Sequence, residues 1–237
     1  MRHAESTKYS NRIYTHILGG TFLRLRNKPW AKELIAQHPE LIQVQPSHFQ
    51  PNFEKAQPLR LEIGTGKGQF IYTMAQQHPN MNFIALEMQE SALAVLLKQQ
   101  VATPLPNLQL LVANADHLVD FFSDDQVSEI YLNFSDPWPK TRHEKRRLTY
   151  ASFLTQYRRI LTPTGVLQLK TDNRHFFEYS LMSMNHFGMH FAELSLDLHH
   201  DTTAWAMTNV TTEYEDKFAA KGQPIYGVRA TFESPLD

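Results

Sequence analysis

The spacing of apolar positions changes repeatedly along this chain between a strand period and a helix period. Short apolar runs predict strands at Leu59–Ile63, Met81–Leu86, Leu108–Val112, Val127–Phe134, Gly165–Lys170, His190–Leu196 and Ile225–Ala230. Between the first five lie amphipathic stretches predicted as helices: Gln69–Gln77, Ser91–Val101, His117–Phe121 and Thr149–Leu161. Helical segments between strands act as crossovers, so these strands are expected to lie parallel. Asn173–Phe187 predicts one more helix, and the last two strands suit an antiparallel arrangement near one edge. The expected fold is α/β: an open, Rossmann-like sandwich around a mostly parallel seven-stranded sheet, with an antiparallel strand near one edge.

The region before the first of these strands is different in kind. Pro29–Gln37 predicts a short helix, and Gln45–Pro58 carries three prolines and reads as a linker or covering loop. Residues 23–58 are therefore expected to form a cap or linker region of a single domain spanning 23–237. Residues 1–22 are expected to be a mobile or dispensable extension.

Composition narrows the classes. Hydrophobic residues make up 42% of the 237, enough for a sizeable core. The formal net charge of -1 offers no overall attraction for nucleic acid, so any such binding must come from a local patch. There are no cysteines, which excludes disulfides and thiolate chemistry and fits a reducing cytoplasm. No apolar run approaches the ~20 residues of a membrane span, and the N-terminus is too polar for a secretory signal.

Three segments carry chemistry. Leu61-Glu62-Ile63-Gly64-Thr65-Gly66-Lys67-Gly68 runs from a strand through a glycine-rich turn into a helix. Gly64, Gly66 and Gly68 let the backbone approach a ligand at the carboxyl edge of the sheet. The spacing matches neither a Walker loop nor the dinucleotide fingerprint. Glu62, just before the turn, suits a ligand bearing an ammonium group; a tight strand–helix turn is the alternative. Glu87 ends the next strand roughly 20 residues on, where a carboxylate accepts both hydroxyls of a ribose. Asn114, after the third strand, occupies the corresponding place near an adenine, although asparagine is also common in turns.

The segment that decides the class is Asn133-Phe134-Ser135-Asp136-Pro137-Trp138-Pro139-Lys140. Two prolines make a rigid turn at the end of the fourth strand, and hydride transfer has no use for it. Directly after it, Lys140–Arg147 holds five basic residues against one acidic. Such runs are often solvated faces. Leaving the catalytic edge of the sheet, this one suits a phosphate-binding strip.

These segments, together with Lys170-Thr171-Asp172-Asn173 and Thr212-Glu213-Tyr214-Glu215, closely resemble the bacterial tRNA (guanine-N7)-methyltransferases from roughly Leu23 to the C-terminus. The turn with its basic tail is highly specific; the glycine loop is shared by many methyltransferases. The resemblance implies a class I methyltransferase sandwich using S-adenosylmethionine. It implies transfer of a methyl group to N7 of guanine in the variable loop of tRNA, at position 46, without an obligatory protein partner, as a monomer or homodimer. Residue by residue, it implies that Glu62, Glu87, Asn114 and Asp136 line the cofactor site. Lys140, Asp172 and Thr212, Glu213, Tyr214 and Glu215 meet the substrate, while Arg142, His143, Lys145, Arg146 and Arg147 touch RNA. Leu23 stands where a start methionine is expected, which agrees with a dispensable extension.

Guanine N7 has an in-plane lone pair and no proton, so no general base is required, and alignment dominates the chemistry. Asp136 and Asp172, ending neighbouring strands, are the candidates for stabilising the positive charge that develops on the purine. A carboxylate that accepts N1–H and the exocyclic amine would select guanine over adenine. Glu215 is the preferred candidate for that clamp and Asp172 the other, although Thr212-x-x-Glu215 also matches a capping box. No metal is expected, and His199, His200 and Asp201 read as a polar loop. Phe176-Phe177-Glu178-Tyr179 reads as helix packing. The rival functions are methylation of another RNA position or of a protein, and an RNA-binding module with a decayed cofactor site.

Overall fold

The computed structural model describes residues 16–18, 21–23 and 28–232. The extension expected at residues 1–22 lies largely outside the described residues. At its end, β1 (His16–Leu18) pairs antiparallel with β2 (Thr21–Leu23), which runs one residue beyond it.

The chain continues through α1 (Pro29–Gln37) and β3 (Ile42–Val44) into the alternating region. There β4 (Leu59–Ile63), α2 (Gln69–Gln77), β5 (Asn82–Glu87), α3 (Glu90–Ala102), β6 (Leu108–Val112), α4 (Leu118–Phe121) and β7 (Val127–Asn133) follow in turn. After them come α5 (Ala151–Ile160), β8 (Leu161–Thr171), α6 (Arg174–His186), β9 (His190–Ser195), α7 (Ala204–Met207), α8 (Glu213–Ala219) and β10 (Tyr226–Thr231). The sheet order is β3-β6-β5-β4-β7-β8-β10-β9. All pairings from β3 to β8 are parallel, and β10 is antiparallel to both β8 and β9. The antiparallel strand thus sits one place in from the edge.

The sheet has eight strands, not the seven expected from the pattern. The added strand is β3, whose three residues pair with β6 at Ile42↔Leu110 to Val44↔Val112. Three residues are too short for a period to show, and their pairing partner lies far along the chain. A second difference concerns β8, which starts at Leu161 rather than Gly165, directly after α5. Pro163 and Thr164 stay exposed within it, and its register with β7 shifts between Val127 and Glu129. Pro163 lacks a ladder donor, so an irregularity there has a local cause.

Apolar side chains fill both faces of the sheet. Leu61, Ile63, Leu132, Leu167 and Leu169 pack with Phe153, Tyr157, Phe176 and Phe177 on one side. Phe83, Ala85, Leu110 and Tyr131 pack with Phe70, Ile71, Leu93 and Leu97 on the other. Phe176 and Phe177 are core residues, as their helical spacing predicts. A third cluster, Leu198, Trp205, Phe218 and Ile225, fastens the α7–α8 region to the sheet. Trp205 lies across Gly227 so closely that a side chain there would collide with the indole.

Candidate active site

β4, β5, β6, β7 and β8 all end on the same edge of the sheet, and the candidate residues gather there because a parallel sheet puts its carboxyl ends together. The glycine loop leaves β4 with Gly64, Gly66 and Gly68 all at positive φ (78°, 59° and 83°). Gly68 starts α2, and a Cβ there would strike Leu96. At Gly64 and Gly66 nothing lies within 4 Å of such a Cβ, which leaves a cradle where a ligand meets bare backbone. Glu87, ending β5, faces the loop: one carboxylate oxygen accepts from Gly66 N at 2.9 Å and the other from Gln89 N at 2.9 Å. Burial pushes its pKa up, opposed by these backbone donors and reinforced by the nearby charge of Asp136.

Glu62 is buried beneath the loop. It accepts from the Thr65 hydroxyl and, at 2.7 Å, from Asn133 Nδ2. Desolvation raises its pKa to about 7, so an approaching ammonium group would favour its ionised form. Asn133 carries no signal of its own in the sequence pattern. It holds Glu62 by its amide nitrogen, while its Oδ1, like Ser135 Oγ, is buried without a partner. Orphaned polar atoms of this kind at the carboxyl edge are what a polar ligand would satisfy. Asn114 follows β6 as expected, exposed, and caps the short 3-10 turn after it by accepting from Asp116 N at 3.1 Å.

The turn after β7 is bent sharply. Phe134 and Trp138 have φ of 52° and 40°, values rarely adopted by bulky residues. The surroundings impose this conformation. Phe134 N donates to Lys170 O at 2.9 Å. The Arg147 guanidinium donates to Pro137 O at 3.2 Å and Trp138 O at 3.0 Å, and lies 4.0 Å from the centre of the Tyr179 ring. Arg147, expected on RNA, is half-buried, and its Nε and Nη2 donate to main-chain carbonyls of the turn, which it staples. The other members of the strip are disposed outward. Arg142, Lys145 and Arg146 are exposed on a 3-10 stretch. His143 stacks on Trp138 (5.7 Å, 12°), with Arg146 over the same indole at 4.9 Å. Desolvation and the neighbouring cations hold the His143 pKa below its usual value.

On the far side of this turn, Asp172 follows β8, half-exposed. The Tyr214 hydroxyl lies 3.4 Å from its Oδ2, and burial raises its pKa. Tyr214 is wedged between Phe134 (5.0 Å) and Phe218 (4.3 Å). Glu213 is exposed and pairs with Lys67 of the glycine loop at 2.6 Å. Lys140 is exposed at the mouth of the basic strip.

Glu215, expected at the Watson–Crick edge of guanine, is instead fully buried. Its Oε2 meets Lys170 Nζ at 2.6 Å, and its Oε1 meets Asn209 Nδ2 at 2.7 Å and His199 Nε2 at 3.0 Å. Its backbone nitrogen donates to Thr212 Oγ1 at 2.9 Å, so Thr212 is the N-cap of α8, while the Glu215 carboxylate, engaged elsewhere, does not complete a capping box. The sequence could not reveal this, since the partners Lys170 and His199 lie far from Glu215 in the chain.

Comparison with known proteins fits this arrangement. A family model described as "Putative methyltransferase" matches residues 56–228. Among solved structures, the 16S rRNA methyltransferase KamB superposes with a TM-score of 0.56 at 15% identity, over 93% of this chain and 100% of that one. A SAM-dependent methyltransferase from Aquifex aeolicus gives 0.52 at 15%, over 88% and 100%. At such identities the likeness concerns the fold, that of class I methyltransferases. Curated relatives are far more similar. The tRNA (guanine-N(7)-)-methyltransferase of Lacticaseibacillus casei is 58% identical over 89% of this chain and 100% of its own length. Those of Latilactobacillus sakei and Lactiplantibacillus plantarum are 56% and 55% identical over 89% of this chain and at least 99% of theirs. With more than half its residues identical along nearly the whole length of such relatives, this chain belongs to the tRNA (guanine-N7)-methyltransferase family.

Proposed function

We infer that the protein transfers a methyl group from S-adenosylmethionine to N7 of a guanine in tRNA, the variable-loop guanine at position 46, in the cytoplasm. The observation that carries the reading is the meeting, at one sheet edge, of a cofactor cradle and a separate half-exposed carboxylate, Asp172, beside an exposed basic strip.

The cradle's residues fit the cofactor. Glu87 suits the ribose diol, Glu62 the ammonium group, Asn114 the adenine side, and the bare backbone at Gly64 and Gly66 a close approach. When bound, S-adenosylmethionine supplies an electrophilic methyl on a sulfonium. The protein's task is then to hold guanine N7 in line with it. Asp136, close enough to Glu87 to raise its pKa, stands at the cofactor end, where positive charge moves from sulfur to purine. With Glu215 engaged inside the protein, Asp172 becomes the carboxylate for the N1–H and amino edge of guanine, and Tyr214 orients it. Adenine presents an acceptor at N1, which an ionised carboxylate repels. Lys140 and Thr212 to Tyr214 line the approach to that base.

Incubation with bulk tRNA and methyl-labelled cofactor, followed by nucleoside analysis, tests the reading. Label is expected in 7-methylguanosine. Label in another nucleoside, or only in protein, would reject it.

The basic strip supplies affinity for the tRNA backbone rather than choice of base. Neutralising Arg142, Lys145 and Arg146 is expected to flatten the dependence of log Kd on log salt by about 0.7–0.9 for each phosphate that the strip no longer neutralises. Arg147→Ala is expected to lower the melting temperature and leave that slope within error, because its Nε and Nη2 hold the turn. A slope insensitive to the triple variant would remove the strip from the interface.

A further inference from the structure

Lys170 is the penultimate residue of β8, and its side chain is 0% exposed. A lysine is almost never buried to this degree unless its charge is matched. Its ammonium group has three donors and three acceptors: Glu215 Oε2 at 2.6 Å, Val210 O at 2.8 Å and Asn209 Oδ1 at 3.0 Å. All three acceptors belong to one stretch, the approach to α8 and its first turn. Asn209 also donates to Glu215 at 2.7 Å, which closes the triangle. The main-chain carbonyl of Lys170 accepts from Phe134 N at 2.9 Å, where the strained turn after β7 begins. Phe134 then packs on Tyr214, whose hydroxyl reaches Asp172, two residues beyond Lys170. The lysine's charge also acts on Glu62 beneath the glycine loop, favouring the ionised carboxylate. One residue is thus tied to the 209–215 stretch, to the turn after β7 and, through its charge, to Glu62 beneath the glycine loop.

A buried ion pair is poor evidence of stabilisation, since apolar residues of similar volume usually serve a fold as well or better. What an apolar pair cannot do is fix three acceptors at hydrogen-bond distances from a single atom. We propose that Lys170 is a positioning residue for methyl transfer: it clamps the 209–215 stretch against the turn after β7, so that Tyr214 holds Asp172 in the orientation that meets the guanine. In this arrangement Glu215 acts through Lys170 and does not touch the base. The inference rests on the reading of the site as a guanine-N7 methyltransferase.

The test compares wild type with Lys170→Met, the double variant Lys170→Met/Glu215→Leu, and Asn209→Ala. It measures melting temperature, calorimetric affinity for S-adenosylmethionine, and kcat and KM for tRNA. The single Met variant leaves a buried carboxylate uncompensated and is expected to melt well below wild type. The double variant removes both charges. It is expected to regain the melting temperature and keep its cofactor affinity within about 3-fold, yet lose about 10–100-fold in kcat with little change in KM, as misalignment of reacting groups does. Should the double variant not fold, Asn209→Ala decides. It breaks one bond to each partner and leaves the ion pair, and kcat is expected to fall several-fold at an unchanged melting temperature. Wild-type kcat in a folded double variant, or in Asn209→Ala where only that variant folds, would overturn the inference, since the network would then serve the fold alone. Absence of methyl transfer by the wild type itself would overturn the functional reading, and this inference with it.

Discussion

Asp172→Asn is expected to lose methyl transfer by about 10²–10³-fold, the usual effect of removing one preorganised electrostatic partner from a reacting centre, while S-adenosylmethionine binds as in wild type. The substitution keeps the size of the side chain and, through its oxygen, the bond from Tyr214. It replaces one acceptor of the guanine edge with a donor that faces N1–H or the amine, and it removes the negative charge beside the purine. Loss of the charge weakens the transition state more than the bound ground state, so its effect should appear mainly in kcat. The pH profile gives an independent check. Burial raises the Asp172 pKa, and only the ionised form accepts both donors. Activity is therefore expected to fall as pH drops through a value above the ordinary aspartate range. That acid limb should be missing from the residual activity of Asp172→Asn. A variant with near-wild-type kcat would show that Asp172 does not meet the base.

Glu87→Ala is expected to weaken S-adenosylmethionine binding by about 10²–10⁴-fold. Two hydrogen bonds from a ribose diol to a charged acceptor contribute roughly 1.5–3 kcal/mol each, and each 1.4 kcal/mol is tenfold. The carboxylate also receives Gly66 N and Gln89 N. Its removal therefore frees the glycine loop at the point where the backbone must lie still. Glu87→Gln keeps one neutral acceptor oxygen and should lose less, which separates the ribose contact from general disturbance of the loop. Calorimetry on the variants, with circular dichroism to establish folding, makes the comparison. Unchanged affinity in Glu87→Ala would take Glu87 out of the cofactor site.

The half of the candidate site proposed for the cofactor was legible in the sequence as a constellation because its parts are local. A strand, three glycines and a helix start are contiguous, and Glu87 follows one crossover later, so parallel topology alone brings them to one edge. The Asp136 turn was legible for the same reason: two prolines and a tryptophan in succession leave few conformations. Its strained angles at Phe134 and Trp138 were not, since they depend on Lys170 O and on Arg147 reaching across from a neighbouring segment.

The substrate half divides differently. Thr212-x-x-Glu215 supports two readings of one motif, a helix cap and a base clamp. The cap is a contact within four residues, whereas the fate of the Glu215 carboxylate depends on Lys170, Asn209 and His199 meeting it in a dry interior. Arg147 and Arg146 are adjacent and chemically identical; one faces main-chain carbonyls and the other, itself exposed, lies against the half-buried indole of Trp138. β3 is invisible in the pattern because three residues carry no period of their own and acquire strand geometry only from β6. By itself, then, the sequence determined the parallel α/β framework, the glycine loop at its carboxyl edge and the family, because these follow from periodicity and contiguous motifs. Only the tertiary structure decided which charged side chains turn inward to bind one another and which remain for the substrate. Burial and long-range pairing set that choice, and neither is encoded in spacing along the chain.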